Sequence, residues 1–356
     1  KFGSALRNAL EISALRYEVM TLKGLPISKK LHHPSSFSRI ITKSPAMLRL
    51  FQYIESTAAS GQPVLILGET GSGKELFARA IHDVSGYPGK FVAVDVSGLD
   101  DTLFSDTLFG HKKGAFTGAE KDRTGLIHKA TSGTLFLDEI GDLSKPSQVK
   151  LLRLIQEGIY YPLGDDQPKN CRARIITATN KSLNDLTGRE DEFRIDLYYR
   201  LSTHLIQIPP LRERKEDIPI LAAYLADQAA KSMGKKIVTI NKRLLDLFAA
   251  LPFPGNVREL KTYVYDAVAQ CQSEELNEMD IGSRLSLAQS LHIKEIPTTQ
   301  ASSLEGLFGH FPTLFELSEY AVQKALEATN NNQSKAAKAL GISKQALNKR
   351  LKHRKL

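Results

Sequence analysis

The sequence predicts an α/β fold, a parallel sheet with helices on both faces, followed by two all-helical regions. Three observations carry this. Short apolar, β-branched runs alternate with helical segments from about Phe37 onward. That alternation stops at Pro209-Pro210, after which helical patterns follow one another. The last 44 residues again read as helix throughout.

In chain order, residues 1–24 read as one helix with Leu6, Leu10, Leu15, Val19 and Leu22 in a single stripe. Gly24 and Pro26 end it, and a polar stretch leads to Ser38. The expected strands are Val64–Leu67, Phe91–Val94, Thr134–Leu137, Arg174–Thr177 and His204–Ile208, their near-continuous apolar character suiting a sheet covered on both sides. Helical patterns at Asp217–Met233, Asn241–Leu251 and Asn256–Gln272 show no strand signal between them. The expected division is therefore a helical linker at 1–36, an α/β region at 37–210, a helical lid at 211–284, a second linker at 285–312 and a helical domain at 313–356.

No apolar run approaches the ~20 residues of a membrane span, and no secretory leader opens the chain. Cys171 and Cys271 lack metal-ligand spacing and read as reduced thiols, which fits a cytoplasmic protein. The net charge of +9 is concentrated at the end: residues 313–356 hold nine Lys/Arg against three acids, and no acid follows Ser334. That balance on a patterned helical segment points to nucleic acid.

The segment Gly68-Glu69-Thr70-Gly71-Ser72-Gly73-Lys74-Glu75 lies between an apolar strand and a helix. Glycines there let backbone N–H groups converge on phosphate oxygens at a helix N-terminus, and Lys74 adds charge for the outer phosphates. ATP with Mg²⁺ is the ligand this chemistry suits. Glu75 stands where most such loops place a hydroxyl on Mg²⁺, so the metal must rely on a carboxylate elsewhere. Asp138 and Glu139, after the strand Thr134–Leu137, supply one to hold hydrated Mg²⁺ and one to polarise the attacking water. Arg194, Arg200 and Arg258 are candidates for the additional positive charge at the γ-phosphate, although each alone also reads as a surface residue.

Taken together these motifs resemble the central domain of the bacterial enhancer-binding proteins, AAA+ ATPases that activate sigma-54 RNA polymerase. The most specific match is Gly114-Ala115-Phe116-Thr117-Gly118-Ala119, preceded by Leu108-Phe109-Gly110-His111. The resemblance runs from about Ser38 to Arg284 and implies that Phe116 and Thr117 contact sigma-54 from a mobile hairpin tip. It also implies a ring, most simply a hexamer, with Arg194 and Arg200 as fingers donated to the neighbouring subunit. Arg258 would be the sensor II arginine, acting in cis, while Thr179 and Asn180 would be the sensor I segment that feels the γ-phosphate. Where the family usually has Asn, this chain has Asp95, which is expected to stand beside Glu139 and to weaken or retune a nucleotide-dependent switch. Phe253 replaces a usual Trp and should preserve packing.

Ser334–Leu340, Gly341-Ile342 and Ser343–Leu351 read as helix-turn-helix. Lys344, Gln345, Asn348, Lys349 and Arg350 are the expected contacts to a double-stranded DNA enhancer site. The segment resembles the Fis-type domain of the same family, which binds palindromic sites as a dimer. The resemblance as a whole implies an ATP-driven activator, working on sigma-54 holoenzyme as a homo-oligomer. The helix at 1–24 resembles linkers that follow receiver domains in two-component regulators, and Lys1 in place of an initiator methionine agrees with an upstream domain.

Overall fold

The structure is a computed structural model that describes residues 30–188, 193–236, 239–281, 312–329 and 332–353. The expected helix at 1–24 and, except for Pro312, the linker at 285–312 lie outside the described residues. Two compact units divide the chain, Lys1–Leu285 and Ser286–Leu356.

Five parallel strands form the sheet of the first unit: β1 (Val64–Leu67), β2 (Phe91–Asp95), β3 (Thr134–Asp138), β4 (Arg174–Thr179) and β5 (His204–Gln207), in the order β2-β3-β4-β1-β5. Successive side chains of a strand point to opposite faces, and β1 shows what this does. Val64 and Ile66 enter one core with Phe136, Ile176, Ala178 and Ile206. Leu65 and Leu67 enter the other, with Leu135, Leu137 and Ile175. The helices α1 (Pro45–Thr57) and α2 (Lys74–Ser85) cover the first face through Leu50, Phe51, Phe77 and Ile81. The second face is covered by α3 (Asp101–Phe109), α4 (Lys145–Glu157) and α5 (Ile195–Leu201) through Phe104, Leu108, Leu151, Leu197 and Leu201. The polar stretch before Ser38 is more ordered than its composition suggests. Phe37 is buried and stacks on Phe51 at 4.4 Å, and Glu55 accepts the backbone N–H groups of His32 and His33 at 3.1 and 2.6 Å.

After Pro210 come α6 (Ile218–Met233), α7 (Lys242–Ala250) and α8 (Asn256–Gln270). One expectation fails here. Thr239–Ile240 and Glu275–Leu276 pair as a two-residue parallel ladder, too short to leave a period in the sequence. Phe253 is buried against Phe248 and Tyr263, so an aromatic core is retained at that position.

In the second unit α9 (Leu314–Ala328), α10 (Gln333–Ala339) and α11 (Lys344–His353) gather Val322, Ala336, Ala337 and Leu347 into one small core. Gly341 takes φ 67° in the turn, a value that suits a residue without Cβ. Ser343 caps α11 by accepting the N–H of Ala346 at 3.2 Å. Thr313 and Glu316 form a reciprocal capping box at the start of α9. No described helix is long and apolar enough to cross a membrane.

Candidate functional site

The phosphate loop joins β1 to α2, with Gly71 and Gly73 at φ 77° and 104°, left-handed values that turn successive N–H groups inward. Lys74 opens α2 almost fully buried, its Nζ donating to Gly68 O at 3.2 Å and to Glu139 Oε1 at 3.0 Å. Ser72 Oγ is buried without a hydrogen-bond partner. A cradle of convergent N–H groups, a buried lysine and an unpartnered hydroxyl fits a nucleotide triphosphate.

Thr70 to Glu75 line a cleft of about 510 Å³ together with Asp138, Glu139, Arg214 and Arg258. Arg39, Ile40 and Ile41 close one wall and Leu221, Tyr224 and Leu225 of α6 another, an apolar surround suited to a base. These wall residues had no motif to announce them, apart from the apolar pair Ile40-Ile41 just ahead of α1. Gly68 and Glu69, expected at the phosphates, line a different cavity behind the loop. The Glu69 carboxylate is drawn there by Arg212, at 2.6 and 2.8 Å, which also holds its pKa below the usual range. Glu75 lines the cleft, its carboxylate bonded by Arg79 at 3.0 and 2.7 Å.

Asp138 ends β3. Burial pushes its carboxyl up against the lowering pull of Lys74, and the charges of Glu139 and Asp95 add to the rise. Glu139 follows in a left-handed conformation, φ 55°, uncommon for a residue with a side chain. Its second oxygen accepts the N–H of Asn180 at 3.0 Å. Asp95 ends β2 in register with Asp138, the residue just before Glu139; paired residues of adjacent parallel strands share a face, and its charge bears on Asp138. Its Oδ1 accepts the N–H of Ser97 at 2.8 Å.

Of the two expected sensor I residues, Thr179 is completely buried, its hydroxyl accepting the N–H of Lys181 at 3.1 Å, and is not among the residues that line the cleft. Asn180 is exposed and bridges Glu139 to Thr70, donating Nδ2 to Thr70 Oγ1 at 3.3 Å. Arg258 lines the cleft from α8, whereas Arg194 and Arg200 do not line it. Arg194 is exposed and forked onto Asp196 at 3.1 and 2.7 Å; Arg200 lies exposed in the last turn of α5.

Two buried residues escaped sequence reasoning because their partners are distant in the chain. Arg214, 2% exposed, donates to Ser72 O at 3.2 Å and pairs with Asp217 at 3.5 Å. Asp217 is fully buried and accepts from Thr42 Oγ1, Lys43 N and Ser44 N at 2.7, 2.5 and 3.0 Å. It thereby ties the strip beside Arg39–Ile41 to the entrance of the lid.

The loop Gly114–Ala119 tops a short antiparallel hairpin, Gly110–His111 with Arg123–Thr124. Its tip is closed by Gly114 N to Ala119 O at 2.9 Å and Ala119 N to Phe116 O at 3.0 Å. Gly114 and Gly118 take φ 83° and 99°. Phe116 is 38% exposed, edge-on to His111 with centroids 4.9 Å apart, and Thr117 is exposed. Ala115 packs at the opposite loop, where a Cβ on Gly164 would lie 2.8 Å from its own. In α11, Lys344 and Gln345 are exposed and Asn348 is half-buried; the side chains of Lys349 and Arg350 lie outside what is described.

A phosphate loop after β1, an acid pair at the end of β3, one strand removed in the sheet, and a helical lid bearing Arg258 define an ATP-binding protein of the AAA+ class. Three families match the chain: the Sigma-54 interaction domain over residues 40–207, the AAA+ ATPase lid domain over 212–295 and the Bacterial regulatory protein, Fis family, over 316–353. The transcriptional regulatory protein ZraR of Escherichia coli is 39% identical over 309 residues, 86% of this chain and 67% of that protein. The regulator NtrC of Azospirillum brasilense is 36% identical over 335 residues, 88% of this chain and 69% of that protein. Among solved structures, NtrX from Brucella abortus in complex with ADP aligns with a TM-score of 0.62 and 27% identity, over 98% of this chain and 74% of that one. The same protein has also been solved with ATP. The chain belongs to the sigma-54-dependent transcriptional regulators, with an ATP-binding AAA+ domain and a C-terminal DNA-binding helix-turn-helix.

Proposed function

We propose that this sigma-54-dependent activator hydrolyses ATP and uses the energy to convert the closed complex of sigma-54 RNA polymerase to an open one. The observation that carries the reading is the convergence of Lys74, Asp138 and Glu139 on one cleft whose own chain supplies Arg258 but neither Arg194 nor Arg200. The family resemblance assigns Arg194 and Arg200 to a neighbour's site, and their place outside this cleft supports a homo-oligomer, most simply a hexameric ring, as the proposed active form. When bound, Mg²⁺ neutralises charge on the β- and γ-phosphates. Asp138, which lines the cleft, is the residue assigned to hold it. Lys74 and the loop N–H groups bind the phosphates, and Lys74 must give up Glu139 to do so. Freed Glu139 then polarises a water at its carboxylate, kept in place by Asn180 N–H. Phe116 and Thr117 present the aromatic and hydroxyl contact to sigma-54, and α11 lays Lys344, Gln345, Asn348, Lys349 and Arg350 on the enhancer DNA. In this scheme residues 37–210 form the α/β motor, 211–284 its lid and 313–356 the DNA-binding domain.

The test is ATP turnover measured together with sigma-54-dependent open-complex formation on a supercoiled promoter template. Both should be present in the parent, and Phe116→Ala should keep turnover while losing open complexes. Turnover without open complexes in the parent would assign the motor to another substrate.

A further inference from the structure

The seam between the phosphate loop and the lid is bonded at three consecutive loop residues. Arg212 meets the Glu69 carboxylate with both terminal nitrogens, at 2.6 and 2.8 Å. Asn256 Nδ2 donates to Glu69 Oε2 and to Thr70 O, each at 3.1 Å, while its Oδ1 accepts the N–H of Leu211 at 2.7 Å. Val257 N–H donates to Gly71 O at 3.1 Å. Asn256 is fully buried and held at φ 50°, a left-handed value that asparagine tolerates better than most residues. The approach is as close as backbone allows: a Cβ on Gly71 would lie 2.3 Å from Gly255 O and 2.8 Å from Arg258 Cβ.

A phosphate loop fills its cradle by aiming N–H groups, and the carbonyls of the same peptides must rotate with them. Here the carbonyls of Thr70 and Gly71 are acceptors for α8, the helix that carries Arg258. Glu69 adds a charge to this seam. An ionised carboxylate in a loop built for polyphosphate is repelled by its ligand, and the planar fork of Arg212 draws it to the lid side and fixes its direction.

We propose that Arg212, acting through Glu69 and alongside Asn256, makes the lid's position depend on whether the phosphate loop is filled. Arg212 is a positioning residue, bonded to the loop from outside the nucleotide cleft. The inference rests on the ATPase reading above. It is tested by hydrogen exchange of the backbone amides at 255–260 in the full chain, with and without ATPγS, alongside steady-state ATP turnover. In the parent, ATPγS should slow exchange there about tenfold. Arg212→Gln should cut that protection below about threefold and raise KM for ATP about fivefold, with kcat changed less than about twofold. The reversed pair, Glu69→Arg with Arg212→Glu, should recover at least half of the protection. Parent-like protection in Arg212→Gln overturns the proposal. So does a loss that the reversed pair leaves unrepaired, because the pair itself is then not the coupling. A parent that neither responds to ATPγS nor turns over ATP would instead sink the ATPase reading.

Discussion

Replacing Asp95 with Asn removes one negative charge from the strand position facing Asp138. Neighbouring strands lie about 4.8 Å apart, so the two carboxylates are separated by roughly 5–6 Å. At that distance the repulsion is about 3 kcal/mol for an effective dielectric near 20 and about 0.7 kcal/mol in water. Asp95 is exposed, which puts the value near the lower end, on the order of 0.7–1 kcal/mol. The pKa of Asp138 therefore moves downward, toward its ordinary value. The sign follows from the raised folded-state pKa of Asp138. Its protonated form is favoured by folding, so its contribution is fully present below the unfolded pKa and is lost as pH rises through the folded one. Asp95→Asn should thus move the acid limb of ATP turnover to lower pH and raise Tm at pH 7 by roughly 1–3 °C. Turnover is assayed from pH 4.5 to 8, with circular dichroism at each point to exclude acid unfolding. Acid limbs that coincide, combined with an unchanged Tm, would refute the placement of this charge on Asp138.

Glu139→Gln should lower ATP turnover about 10²–10⁴-fold while nucleotide binding persists, because the general base is lost and Lys74 keeps a neutral neighbour; equal loss of binding, read by calorimetry, would contradict that role. Asp217→Asn halves the acceptor capacity of a fully buried carboxylate that serves Arg214 and residues 42–44. The expected cost is about 2–4 kcal/mol in urea unfolding of the first unit, and a cost under about 0.5 kcal/mol would show the clasp to be incidental. Lys344→Gln combined with Lys349→Gln should flatten the dependence of log K on log salt by about 2 if both lysines meet phosphates, read by fluorescence anisotropy on duplex DNA; an unaltered slope would remove them from the interface.

The sheet was legible because each strand is an apolar run between turn residues, and the acid pair because it follows one of those runs. The limits lie at the strand ends. Asp95, Asp138, Ala178 and Thr179 extend strands beyond their apolar runs, since the carboxyl ends of the sheet are where polar side chains are needed. Thr179 illustrates the cost: its place in a motif suggested a sensor, yet only the backbone pairing of β4 reveals that it is buried and that Asn180 takes the exposed position. Glu69 likewise sits inside a phosphate motif but answers to Arg212, 143 residues away. Asp217 and Arg214 pair locally, three residues apart, but their other hydrogen bonds reach segments about 140–175 residues distant, which no local pattern announces. The two-residue ladder at Thr239–Ile240 is too brief for periodicity to register.

The Asp217 clasp also orders events in folding. Its bonds to Thr42, Lys43 and Ser44 span 175, 174 and 173 residues, so forming them from an open chain requires closing a loop that long. The length-dependent entropy of that closure is roughly 4–5 kcal/mol, which takes up much of what three hydrogen bonds to a carboxylate return, about 1.5–3 kcal/mol each. The clasp gains most once the five strands have brought residues 42–44 and Asp217 near one another. It is therefore expected to form late in assembly, after the transition state. Weakening it should speed unfolding while leaving the refolding rate nearly untouched.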